Sequence, residues 1–489
     1  MCWIEKKIVP SIELIKELLA LEECQAKDVS FLKGVNIKVL KNNKHFDLVF
    51  DTRDYNSVEK AKYENLADFR IVENGKTYLV PKGKSRISKM KEYWDERGFE
   101  CVVQVAELCT QGIEPESSYY YRYMAPVDMQ THFGDIRGWG FKVEGNIYLR
   151  ELLKINLPQG EVHFYRIQEG KQPFLVIEPQ FLCSHTEIDK IAYVILLSFG
   201  LISGTAYLDE AYMVVSATDD FQNPTGIYFK SLRDTIKCQY TIFTTNVYSV
   251  LMPIAKRLGT DVEKRVLEKI EEKKWNCAIE EMSGEVFSSL VLNFYENDAI
   301  ARATLLLLDS STLTLELQPA AYCIAFETLC TALSKIHKLD APKMLEKDIW
   351  DKGRIKKDLQ KVISENLQNG ILSRMQADFL KNKIDNLNTP TNLDKLKLPF
   401  EHLGYSLSDA EIAGIKDRNR FMHGILNTNK EEEMADKLFH ASLLMHKLSY
   451  ILLLKHCGFS GYIINNLALF QKTDMEEIEE MLSFAFIKI

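Results

Sequence analysis

Arg418, Asn419 and His423 are residues whose types and spacing could do chemistry together. They lie in Asp417-Arg418-Asn419-Arg420-Phe421-Met422-His423-Gly424, at the end of a stretch that reads as a helix. A guanidinium stays cationic at any working pH and can hold a phosphate and offset charge developing on its oxygens. An imidazole, with an ordinary pKa of about 6.5, takes or gives a proton near neutrality. A side-chain amide orients the imidazole or donates to a phosphate oxygen. The set suits a phosphodiester bond in RNA, where the ribose 2′-OH attacks the adjacent phosphorus with no metal and no external nucleophile. The products are a 2′,3′-cyclic phosphate and a 5′-OH end, and DNA, lacking the 2′-OH, cannot react this way. Five positions of regular helix are about 500° of rotation, so Arg418 and His423 converge only where the helix ends or bends. Gly424 supplies a stop. The plain alternative is an Arg and a His in a last turn, complementing the helix dipole.

Other chemistry-bearing patterns carry less. Lys82, Lys84, Arg86, Lys89 and Lys91 form a basic run whose Gly83-Lys84-Ser85 mimics the end of a phosphate-binding loop, but Tyr78 stands where that motif needs its first glycine. The run reads as a solvated loop and helix face, with RNA backbone contact as the alternative. Lys352, Arg354, Lys356, Lys357 and Lys361 are interleaved with Asp348, Asp351 and Asp358, and read as a solvated helix with local ion pairs. HExxH, GxSxG and GxGxxG are absent, no Cys/His spacing suits zinc, and His440 and His446 are six apart, on different faces of one helix. No metal and no cofactor is expected.

The elements that must position the site follow from length and pattern. The chain has 489 residues, enough for about three domains. Its 46% hydrophobic and 27% charged residues are ordinary globular usage and exclude wholesale disorder. Lys and Arg number 61 against 69 Asp and Glu, a net charge of −8, which excludes a general nucleic-acid coat but permits a local basic cleft. Ten cysteines without a CxxC fit a reducing cytoplasm, and Cys323 and Cys330, seven apart, fit one packed helix face. The charged N-terminus is no secretory signal. The uncharged run Ile191–Leu208 is broken by Gly200, Ser203, Gly204 and Thr205, and reads as a buried helix, a turn and a strand rather than a membrane span.

The first 240 residues read as strand-rich: short β-branched and aromatic runs between Gly, Pro, Asn and Asp, with helical patches at about 11–24, 86–97 and 186–199. The expected fold class is α+β: a β-rich, sandwich-like region over 1–240, a helical connector over 241–312 and an all-α bundle over 313–489. From Thr245 the apolar period changes to three and four. Pro319 fits a first helical turn, Pro390 and Pro399 mark a loop, and Ser408-Asp409-Ala410-Glu411 is a capping box opening the motif helix. A long helix follows over 430–457, with Gly458 as its stop.

On these residues the chain resembles a known family. RNRFMHG is similar to the Arg-polar-x-x-x-His signature of HEPN domains, matching at Arg418, Asn419 and His423, with a long helix after it. SFGLISGTAYLDEAYMVVSA, and AAYCIAFETLCTAL with Glu327, resemble stretches of the Apea-like HEPN proteins of bacterial abortive infection. The resemblance implies a metal-independent endoribonuclease that dimerises through its bundle and lines one cleft with two motifs. It further implies anti-phage defence by RNA cleavage, tRNA among the possible targets, with the N-terminal region sensing a phage-derived trigger. Two facing copies would supply two imidazoles, one as base and one as acid. Glu327 is not carried over as catalytic, because a buried glutamate paired with a bundle arginine explains it equally. The alternatives are a non-catalytic HEPN module that binds RNA, nucleotide or a partner, and a structural assembly protein.

Overall fold

The computed structural model describes residues 4–489 apart from 28–34, 43, 55, 57, 60–65, 74, 93–97, 232, 273–278, 347, 353, 423–430 and 472–484. The chain divides into two compact units, Met1–Thr312 with Cys457–Ile489, and Leu313–His456. The first is strand-rich and the second helical, an α+β protein.

Sixteen strands of the first unit join one hydrogen-bonded sheet, and the two-residue strands β11 (Ile136–Arg137) and β16 (Thr205–Ala206) lie outside it. One half runs β1 (Ile4–Lys6), β12 (Trp139–Val143), β13 (Asn146–Leu157), β14 (Gly160–Glu169), β15 (Gln172–Pro179), β10 (Tyr120–Pro126), β17 (Glu210–Ser216) and β18 (Gly226–Ser231). It continues through β9 (Glu107–Thr110), β6 (Lys76–Val80), β5 (Phe69–Glu73), β2 (Glu23–Lys27), β3 (Asn36–Asn42), β4 (His45–Thr52), β8 (Phe99–Val105) and β7 (Ser85–Glu92). Alternation sets the faces: Ile37 and Val39, Phe46, Leu48 and Phe50, and Cys101, Val103 and Val105 are buried at every second position. A sheet this wide has to curl. Both halves and α1 (Val9–Leu19) share one core, with Phe46 edge-on to Phe229 at 4.8 Å. The β-rich expectation holds, but in place of a sandwich of two separately bonded sheets the strands form a single sheet around a common core.

Two expected helices differ. Residues 86–97 were expected to be helical, but Ser85–Glu92 is the edge strand β7. A register shift between Ile87 and Lys89 places Ile87 and Met90 three apart, a spacing that imitates a helix period. The basic run therefore lies on a sheet edge, where Arg86, Lys89 and Lys91 are exposed and oppose pairing with another edge. The first patch is helical only over Val9–Leu19, and Glu23–Lys27 is a strand. The run tested for a membrane forms α2 (His185–Ser203), capped by Gly204 at φ 77°. Among the described residues no helix is long and apolar enough to cross a membrane.

Residues expected to be a connector belong to the first unit: α3 (Val247–Leu258), α4 (Thr260–Glu272), α5 (Gly284–Glu296) and α6 (Asp298–Ser310). The bundle also stops at His456 rather than Ile489. The returning segment is held by the Ile464 N–H donating to the Ile242 carbonyl at 2.7 Å and by Asn466 donating to the Thr241 carbonyl at 2.9 Å. Ile464, Ala485 and Phe486 share a core with Val247 and Leu251, so apolar contact with α3 fixes where this segment packs.

The second unit holds α7 (Gln318–Ile336), α8 (Ile355–Gln368), α9 (Arg374–Asn386), α10 (Asn392–His402), α11 (Asp409–Met422) and α12 (Glu431–His456). Pro319 occupies the first turn of α7. Pro399, expected in a loop, lies inside α10, where the Thr391–Asp394 capping box and burial of Leu396 and Phe400 outweigh its missing N–H.

Glu178 shows what the sheet will tolerate. It is 2% exposed, accepts from Arg122 Nε at 2.7 Å and Tyr165 OH at 2.8 Å, and is paired with Lys6 of β1. Burial opposes its ionisation, yet Arg122 and Lys6 outweigh that and hold the carboxyl below its ordinary range. Glu178→Ala should cost roughly 3–5 kcal/mol by leaving two buried cations unanswered. Chemical denaturation of the full chain followed at first-unit signals would read this, and an unchanged midpoint would contradict it.

Candidate functional site

α11 starts as its sequence dictates. Glu411 N–H donates to Ser408 Oγ at 3.3 Å, and Ser408 N–H donates to Glu411 Oε2 at 2.8 Å. Glu411 is 5% exposed and also accepts from Tyr405 OH at 3.0 Å and from Lys447 of α12 at 2.8 Å. Burial opposes its charge, but Lys447 and Ser408 outweigh it and lower its pKa. Gly414 allows the close approach of α12, since a Cβ there would meet Leu444 Cδ2 at 2.1 Å.

Arg418 is 3% exposed. Its Nε donates to Glu327 Oε1 of α7 at 2.5 Å, and NH1 donates to the Ile415 carbonyl at 2.9 Å. The Glu327 side chain is 34% exposed, so the pair has one wet and one dry end. Cys323 and Cys330 of α7 are buried as expected, and burial pushes the Cys323 thiol up to about 12. Asn419, next in sequence, is exposed. Arg420 is exposed and pairs with Asp417 at 3.3 Å. His423 and Gly424 lie outside the described residues. Of the predicted set, Arg418 is thus brought to Glu327 and turned inward, and Asn419 faces solvent about 100° away around the helix.

A groove of about 600 Å³ lies between α11 and α12. Its rim carries Asp417, Glu433 and Asp436 against Arg420 and Lys437, a balance unsuited to a polyanion. The second basic cluster is largely paired, Lys352 with Asp348 at 2.9 Å, Lys356 with Asp385 at 3.0 Å and Lys361 with Glu365 at 3.8 Å, as a solvated helical segment requires. The rings of His337, His402 and His456 gather in this unit, with 3.1 Å between His337 Nε2 and His456 Nδ1. Among the described residues no group of three His, Cys, Asp or Glu could hold a metal ion.

The apolar period does not reveal the Tyr405–Glu411–Lys447 network, because its members come from different segments. Nor does it reveal His446, fully buried between the rings of Tyr322 at 5.2 Å and Tyr450 at 4.7 Å, with neither nitrogen hydrogen-bonded among the described residues. Burial drives its pKa down to about 3.

No family model, curated protein or solved structure matches the chain. The motif and its surroundings therefore carry the functional reading by themselves.

Two outcomes follow from this geometry. Glu327→Ala should destabilise the helical unit by about 2 kcal/mol, because the guanidinium left behind is the buried partner. A denaturation midpoint equal to wild type would mean that water solvates Arg418. Separately, neutral His446 stabilises the fold fully above about pH 6.5. As pH falls from there toward about 3, the unfolded chain takes up a proton that the folded one refuses, and stability drops by about 1.4 kcal/mol per unit. His446→Phe should remove one proton from that slope, and a slope left intact would show that the imidazole is hydrated.

Proposed function

We propose that the helical unit is a metal-independent endoribonuclease of the HEPN type, acting as a homodimer in anti-phage abortive-infection defence. The observation that carries this reading is the Arg418–Glu327 pair. It fixes the end of α11 so that exposed Asn419 stands beside the position from which the chain runs on to His423. Asn419 and His423 are four residues apart in sequence.

In the reaction, His423 accepts the proton of a ribose 2′-OH as its oxygen attacks the adjacent phosphorus. The bond from phosphorus to the 5′-oxygen breaks, and that oxygen receives a proton from the second copy's imidazole. Asn419 donates its amide to a phosphate oxygen as charge develops there. Arg418, already engaged by Glu327, is a positioning residue that holds this end of α11 in place. The first unit is the regulatory part, responding to a phage-derived trigger.

Apolar side chains on the bundle surface support association of two copies. Ile355, Leu359 and Val362 form one exposed stripe of α8, and Met375 and Phe379 expose 82% and 60% on α9. Burial of Arg418 favours a second reading, a non-catalytic module that binds RNA or nucleotide, since its cation is already answered.

Purified full-length protein, incubated with RNA in EDTA, should leave 2′,3′-cyclic phosphate ends. His423→Ala should lower the rate by about 10²-fold or more at unchanged folding and mass. A 2′-deoxy substitution at the cut site should block that cut. Cleavage by His423→Ala at the wild-type rate would end the nuclease reading. RNA binding without product in protein given phage-infected extract would establish the binding module.

A further inference from the structure

The face of α7 that carries Glu327 continues toward the helix end. Glu327, Thr331, Ser334, Lys335 and Lys338 recur at spacings of one, three and four, along about 16 Å of axis. Where α7 stops, a cleft of about 910 Å³ opens between its last turns, the segment 338–343 and the start of α10. Lys335, Lys338, Lys343 and Lys395 line it, from three stretches of chain, and Asp340 is the only acid among its described lining residues. None of the four lysines has an ion-pair partner among the described residues, whereas neighbouring Lys397 reaches Glu401 at 3.8 Å. Leu339, Pro342 and Leu396 give the same cleft an apolar wall.

Lys338 adds an independent sign. Its φ is 52°, in the left-handed region. The Leu339 N–H reaches back to the Ser334 carbonyl at 2.8 Å and the Lys338 N–H to the Lys335 carbonyl at 3.3 Å, closing the helix in the manner that ordinarily employs glycine. A lysine is strained there. Lys338 nonetheless lines the cleft with three other lysines, in a chain of net charge −8.

We infer that this cleft binds the phosphodiester backbone of single-stranded RNA and leads it along α7 toward Glu327 and the Arg418 end of α11. Unpaired ammonium groups answer the phosphates, and the apolar wall takes sugars and bases. The acid-rimmed groove between α11 and α12 is the contrasting surface that a polyanion avoids. The direction of the path rests on the nuclease reading, whereas binding at the cleft does not require cleavage.

The test uses full-length protein carrying His423→Ala and a fluorescein-labelled single-stranded RNA 20-mer, followed by anisotropy between 50 and 200 mM salt. Four phosphate contacts predict a log–log salt slope of roughly −3. Lys343→Ala with Lys395→Ala should weaken binding on the order of tenfold and make the slope shallower by about 0.7 per lysine. Lys338→Gly should raise the denaturation midpoint by releasing the backbone while also weakening binding. A Lys338→Gly protein that is stabilised yet binds as tightly as its parent, with the double variant also unchanged, would overturn the inference. So would absence of RNA binding by the parent. Competition by poly-glutamate as effective as by RNA of equal charge would assign the cleft to acidic protein segments and overturn it too. Cleavage by otherwise wild-type His423→Ala protein would sink the nuclease reading while leaving these binding results standing.

Discussion

A guanidinium inside a helical unit must have its charge answered by the protein, and the Arg418–Glu327 bond does this for α11. The same helix has a second buried charge, Glu411, answered by Lys447 and Tyr405. Glu411, Ile415 and Arg418 are successive residues of one buried face, a carboxylate, an alkyl group and a guanidinium. α11 is therefore fixed at both ends by ionic contacts, to α12 at its start and to α7 at its finish, with apolar packing between. Breaking either contact leaves a buried charge, so the helix has little freedom to slide or turn. Whatever Arg418 and Asn419 do, they do from a helix whose azimuth is set by two ion pairs.

The same fact explains what could be read from residues alone. Capping at Ser408 and Glu411, the proline in the first turn of α7 and the strand alternation all depend on neighbours within a few positions, and they were foreseeable. The direction in which Arg418 points depends on a glutamate 91 residues away, and no local period encodes it. An inward face carrying two ionised residues also looks like a solvent face to any hydrophobic pattern. The edge strand Ser85–Glu92 was misread because an irregularity in its register shifts its apolar residues out of alternation. Pro399 was misread because a cap and two buried side chains overrode its usual effect. The lysine cleft draws on three stretches of chain, none of which has an unusual density of positive charge by itself.

The first unit solves a related problem at larger scale. Its sheet has a carboxylate at its centre, and Glu178 joins β15 to β10 through Arg122, to β14 through Tyr165 and to β1 through Lys6. Arg122 further donates to the Lys7 carbonyl and to Ser11 Oγ, both at 2.7 Å, which draws the start of α1 into the same network. The strand Ile4–Lys6 is short and pairs in parallel with β12, so these charged contacts supply what three residues of ladder cannot. In both units, buried charge sets orientation and apolar contact supplies most of the cohesion.

The return of the chain to the first unit at Cys457 changes the status of the helical unit from appendage to insert. A domain on a single linker can swivel and can be released by one cut. A domain spliced into its neighbour is tethered at two points, Thr312 on one side and Cys457 on the other, and is topologically captive. Any rearrangement of the sheet-bearing unit that changes the separation of those two points pulls on the ends of α7 and α12 together. Covalent connectivity alone therefore ties a strain in one unit to the first and last helices of the other.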